Sequence, residues 1–379
     1  MDFSASLLFA DLKQIHATKL YKPLAIMKMK LYITFLLFLF CRIINAQSIL
    51  IKELNVQNES EGVVLSGTLT LPEGDGPFLG VVLVAGSGKM DRDQTYEGHK
   101  FFSVLSNYLA ENGIASYRYD KRGVGKSTGD FNTATLETFA SDANVALKAL
   151  KMNLKISKVG FIGQSEGTKV ASMAALKNED CDFLVLMAPY ALPSDQGLLL
   201  QTQAMLKARG IEKEKIQKQI EIESQIWELI KTSHDIGQIR EKAKKIIENN
   251  LEDYLYINDK NEEDIEKAIE ENLNWFVNSI NLDEMRNYND TNFLSKLNCD
   301  VYAVTGDKDL YVVYPNDFNQ VKSLLESNNK IESTFKIYPG LNHLFQNCKT
   351  GLPEEVSEIS ETIDTQVMMD ITEWINKKR

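Results

Sequence analysis

Gly163-Gln164-Ser165-Glu166-Gly167 fits G-x-S-x-G and lies between an apolar run and a helix-like run. Small residues two places either side of the serine permit a tight strand-to-helix turn that holds its hydroxyl clear of a sheet. The helix start beneath it favours developing negative charge. The chemistry this allows is nucleophilic attack on an acyl carbon. A serine hydroxyl is a weak nucleophile and needs a base that an acid holds in place. With such an elbow the order along the chain is Ser, then Asp or Glu, then His. Only His234 and His343 follow Ser165. His234 stands in the charged stretch Thr232-Ser233-His234-Asp235 and reads as a surface residue, whereas His343 ends Tyr338-Pro339-Gly340-Leu341-Asn342-His343, just past the last strand-like run. The acid should come from Gly306-Asp307-Lys308-Asp309-Leu310-Tyr311-Val312, where Asp307 and Asp309 compete. One can reach the imidazole, and the other reads as a solvated turn residue. The oxyanion of an acyl-transfer intermediate needs two N–H donors. Glu166 supplies one from the elbow, and Ser87 in Gly86-Ser87-Gly88 is the candidate for the other.

These residues need a scaffold that brings distant loops together. Residues 49–71 read as two antiparallel strands, and Leu79 to Ala85 is a continuous apolar run, as a parallel strand buried on both faces requires. Strand-like Ile114 to Tyr119, Val159 to Ile162 and Phe183 to Met187 alternate with helix-like Phe101 to Leu109, Leu136 to Leu150 and Thr168 to Leu176. Such alternation argues for a mostly parallel sheet with helices on both faces. From Ser194 to Lys296 no strand-like run occurs. Ile216, Ile220, Trp227 and Ile230 recur near helical spacing, as do Ile239, Ala243, Ile246 and Leu251, with Lys and Glu filling the gaps. The α/β pattern resumes with Val301 to Thr305, a helix near Asp317 to Leu325, strand Ser333 to Tyr338 and a last helix Thr365 to Asn376.

The chain resembles the α/β-hydrolases, and among them secreted carboxylesterases with a helical cap. The likeness runs from about Gly80 onward, on Ala85-Gly86-Ser87-Gly88-Lys89-Met90-Asp91-Arg92-Asp93, Tyr119-Asp120-Lys121-Arg122-Gly123-Val124-Gly125-Lys126-Ser127, the elbow, and Pro339-Gly340-Leu341-Asn342-His343-Leu344-Phe345-Gln346. The resemblance implies an α/β-hydrolase fold with an all-helical cap inserted after the sixth strand. The core would occupy 47–193 and 297–379, with the cap at 194–296. It implies cleavage of a small-molecule carboxylic ester through an acyl-enzyme, with no cofactor and no metal. In relatives the acid is the later acidic position of the G-x-x-D loop, which falls on Asp309. The residue before their nucleophile is usually His. Gln164 stands there in this chain and should alter the wall beside Ser165. Thioester or peptide cleavage by the same three residues is the rival within enzymes. A ligand-binding protein on a hydrolase scaffold is the rival from another class, since a fold does not fix a function.

Three other patterns carry less. Gly123-Val124-Gly125-Lys126-Ser127 resembles the end of a phosphate-binding loop, but Asp120 stands where that loop needs its first glycine. Asp120 and Arg122 should instead brace the site's surroundings. Asp259, Asn261, Glu263 and Glu270 have calcium-loop spacing, but Asp264 takes the place of the required glycine. Asp91-Arg92-Asp93 suits either substrate binding or a structural ion pair.

Composition sets the outer bounds. Hydrophobic residues at 44% and charged ones at 25% exclude a disordered chain, a collagen-like chain and a small disulfide scaffold. A net charge of −11 argues against a nucleic-acid partner. Residues 27–46 combine basic Met27-Lys28-Met29-Lys30, the apolar run Leu31 to Phe40 and a small residue at Ala46, the make-up of a secretory signal peptide. The run is short of the roughly 20 apolar residues that span a bilayer. Cleavage after Ala46 would remove the leader, residues 1–46, send the rest to the periplasm or outside the cell, and leave no stable membrane anchor. It would also take away six basic and two acidic groups and leave a net charge of −15. Cys181, Cys299 and Cys348 would remain, an odd number that excludes a complete disulfide framework.

Overall fold

The computed structural model describes residues 49–256, 262–278 and 293–379. The expected leader, and Asp259 and Asn261 of the calcium-like pattern, lie outside the described residues. Eight strands form the main sheet: β1 (Ile49–Asn58), β2 (Val63–Pro72), β3 (Phe78–Val84), β4 (Ile114–Tyr119), β5 (Ile156–Gln164), β6 (Cys181–Met187), β7 (Asp300–Gly306) and β8 (Ser333–Tyr338). Their order is β1-β2-β4-β3-β5-β6-β7-β8. The β1–β2 and β2–β4 pairs are antiparallel, and every other pair is parallel.

The runs without alternation are the covered strands. β3 and β6 are apolar along most of their length because both faces are packed. On one face lie α2 (Leu136–Lys151), α3 (Glu166–Leu176) and α8 (Asn316–Glu326). On the other lie α1 (Phe101–Glu111) and α9 (Thr365–Asn376). Parallel strands end on the same edge, so the loops after β3, β5, β7 and β8 leave the sheet together. Those four loops carry Ser87, Ser165, Asp309 and His343.

Between β6 and β7 come four helices: α4 (Ser194–Ala208), α5 (Lys213–Thr232), α6 (Ile236–Glu248) and α7 (Glu262–Asn278). They build a core of their own from residues such as Ile226, Trp227, Ile247, Leu273 and Phe276. Two details differ from the sequence reading. The buried seam of α5 includes Gln219 and Glu223, and Ile220 is only half-buried. A small hairpin, Thr95–Tyr96 with His99–Lys100, follows β3. Its two-residue strands are too short to leave a period. Among the described residues no helix is long and apolar enough to cross a membrane.

Candidate active site

The turn from β5 into α3 has the strain expected of its motif. Ser165 sits at φ 54° and ψ −124°, a backbone region that non-glycine residues rarely adopt and that costs about 1–3 kcal/mol. The two glycines of the motif are required by space. A Cβ on Gly163 would lie 2.3 Å from the Gly167 carbonyl oxygen, and one on Gly167 would lie 2.0 Å from that of Val84.

Asp309 and His343 meet across the ends of β7 and β8. His343 Nδ1 lies 2.7 Å from Asp309 Oδ2. Asp309 is buried, and its other oxygen accepts the N–H groups of Tyr311 at 2.9 Å and Val312 at 2.8 Å. The carboxylate is therefore fixed before it touches the imidazole. Asp307 is exposed, yet it is more than a solvated turn residue: its Oδ1 accepts the Gly340 N–H at 2.6 Å and ties the two loops together. His234 is exposed in the turn between α5 and α6.

The free nitrogen of His343 faces a group that motif spacing did not announce. Gln164 Nε2 lies 3.2 Å from His343 Nε2, and Ser165 Oγ makes no hydrogen bond to that nitrogen among the described residues. Gln164 is 2% exposed and belongs to a chain of amides. The Gly86 N–H donates to Gln94 Oε1 at 2.9 Å, Gln94 Nε2 donates to Gln164 Oε1 at 3.0 Å, and Gln164 Nε2 faces the imidazole. A backbone N–H can only donate, so the first bond fixes the direction of all the others. His343 Nε2 is then the acceptor, and its ring proton sits on Nδ1 against Asp309. That is the tautomer a general base for Ser165 requires. Tyr311 also packs on the imidazole, with ring centroids 4.9 Å apart. Burial, followed by a hydrogen bond with Tyr96, pushes the Tyr311 hydroxyl well above its usual range.

The two expected oxyanion donors lie on facing loops. Neither the Ser87 nor the Glu166 N–H has an acceptor among the described residues. A Cβ on Gly86 would lie 2.8 Å from Gln164 Oε1 and 3.4 Å from Ser165 Cβ, so the loop after β3 runs directly beside the elbow. Asp91-Arg92-Asp93 and Asp120-Lys121-Arg122 brace that loop. Arg92 binds Asp120 at 2.8 Å, Arg118 binds Asp93 at 2.9 Å, and Arg122 binds Asp142 at 2.7 Å. Asp120 also accepts the N–H groups of Arg92 at 2.8 Å and Lys126 at 3.0 Å. Burial pushes the Asp120 carboxyl up, but these bonds outweigh it and hold the group below its ordinary range.

Residues 96–347 match the family described as serine aminopeptidase, S33. The chain belongs to this α/β-hydrolase family. The matched span contains Ser165, Asp309 and His343 of the hydrolase. Over 133 residues the hydrolase is 37% identical to Esterase EstD of Thermotoga maritima, a stretch that covers 35% of this chain and 32% of that protein. The match thus spans about a third of that relative's length. A carboxyl esterase from Bacillus coagulans, solved with glycerol, superposes with a TM-score of 0.52 at 17% identity, over 86% of this chain and 98% of that one. A proline iminopeptidase of Mycobacterium smegmatis superposes with a TM-score of 0.51 at 12% identity, over the same shares, 86% and 98%. At these identities the likeness is one of fold.

Proposed function

We propose that the hydrolase cleaves carboxylic esters through an acyl-enzyme formed on Ser165. The observation that carries this reading is the line Asp309–His343–Gln164 ending beside the strained Ser165. Ser165 Oγ attacks the ester carbonyl while His343 Nε2 takes its proton, once the Gln164 amide gives way. Asp309 holds the Nδ1–H and stabilises the imidazolium. The N–H groups of Ser87 and Glu166 bind the oxyanion. His343 then protonates the leaving alcohol, and water, activated by the same imidazole, releases the acid.

The stretch of 133 residues that is 37% identical to an esterase favours esters over thioesters or peptides. In this reading the α4–α7 helices act as a cap that sets substrate size. The same helices enclose a cavity of about 300 Å³, lined by Leu198, Met205, Trp275 and Phe276 together with Arg209 and Glu223. Export through residues 27–46, with cleavage after Ala46, belongs to the same proposal. N-terminal sequencing of the protein from cell fractions tests it.

The test of the activity is incubation with p-nitrophenyl esters of graded chain length beside the matching p-nitroanilides, for wild type and Ser165→Ala. Ester turnover that disappears in Ser165→Ala is expected. Turnover of anilides alone would move the reading to peptides, and no turnover above the variant on any substrate would refute it.

A further inference from the structure

The buried ammonium of Lys121 touches Glu166 and the peptide group that carries the Ser87 N–H. Its side chain is 5% exposed. Nζ donates to the Gly86 carbonyl oxygen at 2.6 Å and to Glu166 Oε1 at 2.9 Å, and it stands 4.7 Å from the centre of the Phe139 ring. Glu166 Oε2 in turn accepts the Ser87 hydroxyl at 3.3 Å. The base of the side chain is anchored as well: the Lys121 N–H donates to the Met90 carbonyl at 3.2 Å, and the preceding Asp120 is locked to Arg92.

The Gly86 carbonyl and the Ser87 N–H belong to one planar trans peptide and point in opposite directions. A cation that grips the oxygen therefore fixes where the N–H points. It also polarises the amide and makes that N–H a better donor. Without the grip the peptide is held only from its flanks, by the Gly86 N–H on Gln94 and the long Ser87 hydroxyl bond to Glu166, in a glycine-flanked loop exposed at Ser87. On the other side of the cleft the same ammonium holds the Glu166 side chain, and so the first residue of α3.

We infer that Lys121 is a positioning residue that presets the oxyanion hole, orienting the Ser87 N–H through the Gly86 carbonyl and steadying Glu166 by its ion pair. This rests on the proposed acyl-transfer reading and deepens it. Lys121 touches no reacting atom. Its effect should fall on the transition state, where charge reaches the oxygen, and not on substrate binding.

The test compares wild type, Ser165→Ala, Lys121→Met and Lys121→Arg. Two readouts are taken: kcat and KM on a neutral p-nitrophenyl ester, and the rate of covalent labelling by a fluorophosphonate, whose reaction also develops charge in the oxyanion hole. Losing one oxyanion donor outright costs about 10²–10³ in kcat. Lys121→Met keeps the packing over Phe139 and removes the grip, so its kcat and labelling rate should fall about 30- to 100-fold while KM stays within threefold. Lys121→Arg keeps the charge at a different reach and should lose about tenfold in both. If Lys121→Met does not fold, Lys121→Arg decides. Wild-type kcat and labelling in a folded variant would overturn the inference, and so would a loss confined to KM. Failure of the underlying reading looks different: either wild type is not labelled, which removes this inference too, or Ser165→Ala is labelled as fast as wild type.

Discussion

The sheet-edge loops and the helical insertion both bury charge-bearing side chains, and they handle them in opposite ways. Around the loops each buried carboxylate has a cation or a cage of N–H donors. Asp120 meets Arg92, Asp142 meets Arg122, and Asp309 accepts two backbone N–H groups and the imidazole. In the insertion, Glu223 is 3% exposed and is held by neutral partners, Gln219 at 2.9 Å and Thr202 at 3.0 Å. Burial dominates there and raises its carboxyl above the ordinary range. The insertion's ion pairs, such as Arg240–Glu270 and Lys244–Glu266, are open to solvent. The contrast separates two uses of charge. The loops use buried carboxylates as acceptors for arginines and N–H groups that fix loop geometry, whereas the insertion packs Glu223 among neutral partners, where it is easiest to bury when protonated.

The sharpest test of that contrast is at Asp309. Asp309→Asn should lower kcat by about 10⁴-fold, the cost of losing the acid that sets the tautomer. Asp307→Asn, which touches only the Gly340 N–H, should cost less than about tenfold; steady-state kinetics decide, and the reverse order would reassign the acid.

Next comes Asp120→Ala. It leaves half-buried Arg92 with Glu53 as its remaining ion partner and strips the acceptor from the Arg92 and Lys126 N–H groups, and urea denaturation should show a loss of about 1–3 kcal/mol. Asp120 and Glu223 should also respond to pH with opposite sign. Asp120 is lowered on folding, so its contribution is present above the unfolded carboxylate value and is lost as pH falls through the folded one. Glu223 is raised, so folding is favoured while it stays protonated, and stability declines as pH climbs from the ordinary glutamate value of 4.5 toward its folded value. Glu223→Gln should therefore flatten that decline and raise the melting temperature near pH 7. A variant with an unchanged pH profile would erase the difference between these two carboxyls. The smallest effect belongs to Arg240→Ala: an exposed pair should cost about 0.5 kcal/mol or less in the same denaturation assay.

What was legible in the sequence follows from range. The covered strands β3 and β6 were readable because burial on both faces leaves continuous apolar runs. Ser165, His343 and the Asp307–Asp309 loop were readable because a strained elbow and strand-end loops need particular residues at short spacing. The contacts that tune them were not. Lys121 meets Gly86 across 35 residues and Gln94 meets Gln164 across 70, and nothing local marks them. Gln164 stands out in the sequence as an unusual neighbour of Ser165, but its aim at His343 Nε2 depends on the fold. Gln219 and Glu223 broke the apolar period of α5 because each finds a polar partner inside the helical cluster.

The measurement that bears most directly on the proposed chemistry is rapid-quench mass spectrometry with a p-nitrophenyl ester. Wild type should gain the mass of one acyl group, located on the peptide that contains Ser165, in a burst that matches the first release of p-nitrophenol. Ser165→Ala should show neither. An acyl group carried elsewhere, or turnover that persists in Ser165→Ala, would contradict the assignment of Ser165 as the nucleophile.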